Sequence, residues 1–425
     1  MLDNKTFRQI SKVGGGRISV ELSLSDLELD PHAGLARLRA QSPVAWVPGL
    51  DGWLVTGYAE AMTVMRDSRT FTVDDPRFST ARVVGPSMLS LDGKAHARHR
   101  SPFFAAFHRG GAAERLPAYA DTEAARLVDA IRPAGAADLR RELSGPLAVA
   151  VVAQALGLGD VAPAEILALY TRIVGGVTGL SGDQGGPGGP GGQDDADIAE
   201  GQDTTGIGEP DPDSVAAFGA LAELLRAVID GAPGTGADSV LTTAAAGGQL
   251  STDEVISDAA VVMFGGIDTT DGMIANAVLH LLSEPDQLGL VRAGPDLLPA
   301  AVEESLRLEP AAAIVDRYAT AGAEVAGARI RAGDRVTVSI TGANRDPAVF
   351  RDPDRFDLAR PEAGRHLAFA HGPHFCIGAP PARAETLAAL RALLPLPGLR
   401  LDPAHPAAPR GLVFRKPPTL HVLWD

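Results

Sequence analysis

The stretch from about Thr252 to Ser283 constrains this chain more than any other. Its spacing predicts one continuous helix, opened by Ser251 and Glu254 in the arrangement where each side chain satisfies the other's backbone amide. At 1.5 Å per residue such a helix spans roughly 45 Å, the width of a whole domain. Between Asp258 and Asp268 it is apolar on nearly every face (AAVVMFGGI), as a rod buried at the centre of a protein should be. Acids at 253, 254, 258, 268 and 271 argue against a membrane span. The remaining elements are therefore expected to wrap around one central helix.

What surrounds it reads as mainly α with a smaller β part. Hydrophobic residues make up 45% of the 425 positions and aromatics only 5%, so the core must be built from Ala, Leu and Val, which leans towards helix. PVAWVP and GWLVTG predict a hairpin turned between Gly49 and Gly52, and YAEAMTVMRD has helical spacing. From about Val73 to Gly93 the pattern is irregular, a long loop of the kind that shapes pockets. Helix dominates from about Lys94 to Leu180, and a second late helix runs from about Asp296 to Leu308. EVAGARI and RVTVSI read as strands joined by the turn RAGD. Residues 1–425 are expected to form one domain. Its main interruption, 181–213, is acidic and rich in Gly and Pro, too polar to bury a core, and is expected to be mobile.

Charge narrows the function classes. The formal net charge is −15, which argues against nucleic acid, because binding phosphate needs clustered Lys and Arg. The acidic insertion holds nine of the acids and no Lys or Arg, leaving about −6 elsewhere, so a basic docking patch near Arg98 and Arg109 stays open beside an ordinary solvated face. The first residues lack a secretory leader, and the most apolar stretch after Glu142 is 17 residues long and broken by Pro146 and Gly157. A cytoplasmic monomer is expected.

One cysteine excludes an internal disulfide, a four-cysteine zinc site and a cysteine-held iron–sulfur cluster. It leaves a buried thiol, a nucleophile or a metal ligand. The cysteine lies in Phe369-Ala-His-Gly372-Pro-His374-Phe-Cys376-Ile-Gly378. Two glycines allow a tight turn around the sulfur, and a helical pattern beginning at about Ile377 puts Cys376 near a helix N-terminus, where exposed amides favour the thiolate that ligates metal. Phe369 can pack against a flat ring, and His374 can donate to an anionic group.

This loop, FxxGxHxCxG, resembles the haem-ligand loop of the cytochrome P450 family, with every defining position filled. The resemblance implies the P450 fold, haem b held between the central helix and the cysteine-loop helix, and Cys376 as axial ligand of the iron, its thiolate favouring O–O cleavage. Gly265-Gly266-Ile267-Asp268-Thr269-Thr270 resembles the family's oxygen-activating segment. The paired glycines Gly265 and Gly266 clear space for oxygen, Thr269 can bond a backbone carbonyl, and Asp268 with Thr269 would relay protons. Glu304-Ser-Leu-Arg307 matches the ExxR pattern, and the resemblance implies a buried pair completed by Arg355 in Asp352-Pro-Asp-Arg-Phe356. His96 and Arg100 share a helix face in KAHARHR and match propionate ligands, as do Arg317 and His374. Two positions depart from the pattern. Ala97 stands where Thr is usual, and Pro381 replaces a leucine, which suits only the first turn of a helix.

The activity so implied is a monooxygenase that oxidises a small organic substrate. Electrons would come from NAD(P)H through a ferredoxin reductase and a ferredoxin, since no flavin or nicotinamide fingerprint is present. Two alternatives are a peroxide-using or oxygen-independent haem-thiolate enzyme, against which Asp268 and Thr269 count, and a non-catalytic haem or ligand binder. By resemblance the pocket walls are the loop around Val84 to Leu89, Met88 included, the central helix from Val262 to Gly266, and Ala312, Ala313, Ile314 and Val315 after ExxR. Only 4 of the 38 basic residues are Lys, and Ala, Gly and Pro abound, the mark of a GC-rich bacterial genome; a tailoring oxidase of secondary metabolism is the expectation.

Overall fold

Ser251 and Glu254 cap the central helix, Thr252–Ser283, as their spacing predicts: the serine hydroxyl accepts from the Glu254 amide at 3.3 Å and the glutamate accepts from the Ser251 amide at 2.8 Å. The computed structural model describes residues 11–13, 17–19, 22–109, 111–180, 211–231 and 238–425. All but the last three positions of the acidic segment 181–213 therefore lie outside the described residues, and so does its expected mobility.

The central helix is buried along most of its length because other helices cover it on several sides. Gly145–Leu156, Leu298–Leu308 and Ala379–Leu393 all pack against it. Small side chains such as Ala259, Ala260 and Ala275 let these helices approach closely, and Val255, Ile274 and Leu281 fill the seams. Each such Val, Ile or Leu contributes about 1.5–3 kcal/mol by leaving water. The second late helix begins at Leu298, after a short 3₁₀ turn at Pro295–Leu297. Among the described residues no helix is long and apolar enough to cross a membrane.

The β part lies around two smaller cores. Val44–Val47 and Gly52–Val55 form the expected hairpin, with Trp46 opposite Trp53 and their rings edge-on at 5.8 Å. Gly52–Val55 then runs parallel to Arg335–Ser339, which pairs antiparallel with Ile314–Ala319. EVAGARI differs from its expectation. It is itself a hairpin, Ala323–Val325 with Ala328–Ile330, turned at Ala326 and Gly327, whose positive φ values reverse the chain. RVTVSI is therefore free to pair across the sheet instead. One consequence matters for the site: alternation along Ile314–Ala319 sends Val315 and Arg317 to one face and Ile314 and Asp316 to the other.

Candidate active site

Cys376 sits on a loop that the backbone closes before any side chain acts. Its amide donates to the Phe369 carbonyl at 2.8 Å. Gly372 takes φ +76°, and a Cβ there would lie 2.6 Å from the Met65 carbonyl, so only glycine lets the loop pass the Tyr58–Arg66 helix. The following helix starts at Ala379, with Pro380 and Pro381 in its first turn where no amide is needed. Burial pushes the Cys376 thiol up; the Gly378 amide, the Arg100 and Arg383 charges and the Ala379 amide pull it down. The loop thus supplies the donors that a metal-bound thiolate needs.

The cysteine faces an apolar cavity with about 1520 Å³ of empty space, its open mouth included. Across it stands the middle of the central helix. The two glycines divide their work: a Cβ on Gly265 would meet nothing within 4 Å, whereas one on Gly266 would lie 2.3 Å from Val152. Gly265 opens the cavity and Gly266 permits helix packing. Thr269 lines the same wall and donates its hydroxyl proton to the Gly265 carbonyl. Asp268 is turned from the cavity. It accepts from the Tyr170 hydroxyl and from Lys416 Nζ, both at 2.6 Å. Lys416 also holds Asp271, which pairs with Arg140 at 2.5 Å.

Four candidate anion ligands converge near the loop. The His96 and His374 rings lie 4.3 Å apart, Arg100 donates to the Phe375 carbonyl at 2.6 Å, and His374 Nε2 meets Asp92 at 2.9 Å. Arg317 and His96 are buried, yet Arg317 Nε and His96 Nε2 have no partner among the described residues. Burial, with the His374 and Arg100 charges, pushes His96 down to about 4, and burial lowers Arg317. Such unmatched buried donors fit the carboxylates of a haem. Together with an open apolar slot and a thiol at its edge, the residues present suit that group.

Comparison with known proteins points the same way. The family model for cytochrome P450 matches residues 296–405. Over 414 residues the chain is 34% identical to nocardicin C N-oxygenase of Nocardia uniformis subsp. tsuyamanensis, covering 93% of this chain and 96% of that protein. This chain belongs to the cytochrome P450 family. The P450 is also 33% identical over 415 residues to cytochrome P450 monooxygenase PikC of Streptomyces venezuelae, covering 94% of this chain and 90% of that one. The solved structure of CalO2 matches it with a TM-score of 0.78 at 30% identity, over 95% of this chain and 99% of that one.

Within this P450 the ExxR brace needs a correction. Arg307 forks onto Glu304 at 2.7 and 2.8 Å, both fully buried, but the third side chain is Arg360, whose Nε reaches Glu304 at 2.9 Å. Arg355 contributes only its carbonyl, which accepts from Arg307 and Arg360 at 3.0 Å each, while its side chain is exposed. Past the turn at Asp352, with φ +45°, the Arg355 carbonyl lies inward and its side chain out. Asn344 connects brace to loop, its carbonyl accepting from Arg307 at 3.1 Å and its Oδ1 from the Leu367 amide at 2.7 Å.

The pocket walls also shift. Met88, Leu89, Val262 and Ala312 line the cavity. Val84 does not; it ends the Ser79–Val84 helix and packs into the core at 1% exposure. Ala313 and Ile314 line a separate small cleft instead, while Val315 lines the cavity as expected. Arg98, a candidate docking residue, is paired with Glu254 at 2.5 Å, and the Arg109 side chain lies outside the described residues. Tyr170, Lys416 and Arg360 carry no local motif. A faint signal existed only for Lys416, one of four lysines in an arginine-rich chain.

Proposed function

We propose that this P450 binds haem b through Cys376, with His96, Arg100, Arg317 and His374 around the propionates and Phe369 against the ring, and uses O2 to oxidise a small organic substrate. The observation that carries this is the single apolar wall-to-wall arrangement of Cys376, Gly265 and Thr269 around one cavity. When bound, the haem supplies oxygen activation, with thiolate ligation favouring O–O cleavage. The chain's own residues do the rest. Apolar walls at Met88, Leu89, Val262 and Val315 exclude water and orient the substrate. Thr269 has committed its proton to the Gly265 carbonyl, so its Oγ1 lone pairs can accept a hydrogen bond from a proton donor in the cavity and hold it in place. Asp268 is the adjacent acid; Tyr170 and Lys416 hold it, and when one of these bonds opens to water its carboxylate takes up a proton from that water and releases it along a hydrogen-bonded path towards the cavity, to be refilled from solvent.

The similarity to an N-oxygenase and to PikC supports an oxidation in bacterial secondary metabolism. Reducing equivalents come from NAD(P)H through separate ferredoxin reductase and ferredoxin partners, and we place the enzyme in the cytoplasm as a monomeric, single-domain catalyst. The test is absorption of the reduced carbon-monoxide complex in wild type and Cys376→Ser, followed by turnover with a surrogate ferredoxin system. The red-shifted thiolate band should be present in wild type and lost in the variant. An unshifted band in folded wild type would overturn the thiolate assignment, and spectral shifts without product would leave a binder rather than an oxygenase.

A further inference from the structure

The pocket wall at Met88 and Leu89 hangs from side chains that lie outside the cavity. At Gly85 the chain passes so close to the central helix that a Cβ would sit 3.2 Å from Ser257 Oγ. Residues 87–91 then close on themselves: the Ser87 carbonyl accepts from the Ser90 and Leu91 amides at 3.1 Å each, and the Ser87 amide donates to Ser90 Oγ at 3.1 Å. The Met88 amide instead points outward and donates to Asp258 Oδ1 at 2.6 Å.

Asp258, on the first half of the central helix, is fully buried, and its Oδ2 lies 2.8 Å from His99 Nδ1 on the Gly93–Arg109 helix. His99 is 2% exposed. Arg98 donates to His99 Nε2 at 3.2 Å, which leaves the imidazole proton on Nδ1, aimed at Asp258. Glu254 grips Arg98 in turn, at 2.5 and 3.0 Å, and lies 3.6 Å from His99 Nε2. The groups form one line: Glu254, Arg98, His99, Asp258, Met88 amide. Burial drives the Asp258 carboxyl up to about 8, so holding it here costs free energy. What the carboxyl adds is direction, two short bonds that join the central helix, the 93–109 helix and the pocket loop. Met88 and Leu89 line the cavity beside Val261 and Val262, one helical turn beyond Asp258.

We infer that Asp258, oriented by His99, is a positioning residue that sets the Met88–Leu89 wall and thereby the size of substrate this P450 accepts. The inference rests on the reading of the cavity as the substrate pocket. It is tested on the haem-loaded enzyme with two nitrogen ligands of haem iron, imidazole, which is too small to need the wall, and 4-phenylimidazole, whose ring must pack on it. Asp258→Leu should weaken 4-phenylimidazole about tenfold, the loss expected when a buried amide loses its acceptor, while imidazole stays within about twofold. Asp258→Asn keeps an oxygen for the Met88 amide but turns its N–H2 on the His99 Nδ1 proton, and should restore part of the selectivity. His99→Phe, which leaves Asp258 in place but unoriented, should fall between them and serves where the leucine variant does not fold.

Equal azole binding in all variants, a parallel loss of both azoles, or an asparagine variant no better than leucine would overturn the latch. The carbon-monoxide band of each variant separates the two readings. Intact thiolate bands with unchanged selectivity refute the latch alone, and a missing band in wild type refutes the haem site beneath it.

Discussion

Replacing Arg360 by alanine should unfold the brace that holds the cysteine loop, whereas the same change at Arg355 should do almost nothing. Arg360 donates to Glu304 at 2.9 Å, to the Asp352 and Arg355 carbonyls at 3.1 and 3.0 Å, and to the Arg351 carbonyl. Its removal leaves Glu304, wholly buried, with one guanidinium instead of two, and strips donors from three carbonyls of the meander. Breaking a buried ion pair from one side costs about 3–5 kcal/mol. Against a total stability of roughly 5–15 kcal/mol, that is a large share. Arg355 presents only its carbonyl to the brace, which alanine retains, so its exposed side chain should matter by no more than about 0.5 kcal/mol. Arg360→Lys keeps the charge but not the fork, and should lie between. The measurement is urea unfolding of haem-loaded protein, followed by circular dichroism and by the thiolate carbon-monoxide band. Equal midpoint shifts for the Arg355 and Arg360 variants, or a wild-type midpoint for Arg360→Ala, would refute the assignment.

Three further outcomes are expected. Gly265→Ala should fold normally but weaken azole binding, because its methyl enters open cavity, while Gly266→Ala must displace Val152 and should cost about 1–3 kcal/mol in thermal unfolding. Asp268→Asn should lower turnover on the order of a hundredfold or more with azole affinity unchanged, since it removes a titratable group and not a pocket wall. Glu303 is pushed up by burial, yet the His366 ring 3.3 Å away and two hydrogen bonds from Arg383 bring it down to about 2 from an ordinary value near 4.5. Its contribution is therefore complete above about pH 4.5 and is lost as pH falls towards 2, so Glu303→Gln should be less stable at neutral pH and show a shallower acid limb in unfolding scans.

Elements whose geometry depends on near neighbours were legible in the sequence. The capping box placed the start of the central helix, the Trp-bearing hairpin formed where it was expected, and the cysteine loop carried its own turn residues. Long-range geometry was not. Arg355 fits a linear pattern, but a pattern does not say whether a residue offers its side chain or its carbonyl, and Arg355 offers the carbonyl. Ala313 and Ile314 were expected from their segment, whereas the course of the backbone into the strand sends both to a separate cleft and leaves Ala312 and Val315 in the cavity. Tyr170 and Lys416 lie 98 and 148 positions from Asp268, with no local spacing to announce them.

Lys416 also bears on how the protein is made. Every segment of the family signature, from His96 to Cys376, leaves the ribosome before this lysine does. Until it emerges, Asp268 has no cationic partner among the described residues and Asp271 has only Arg140. A chain cut short just after Cys376 would keep each recognisable motif and lack the charge that steadies its buried acids. The arrival of Lys416, rather than the appearance of the cysteine, therefore completes the site.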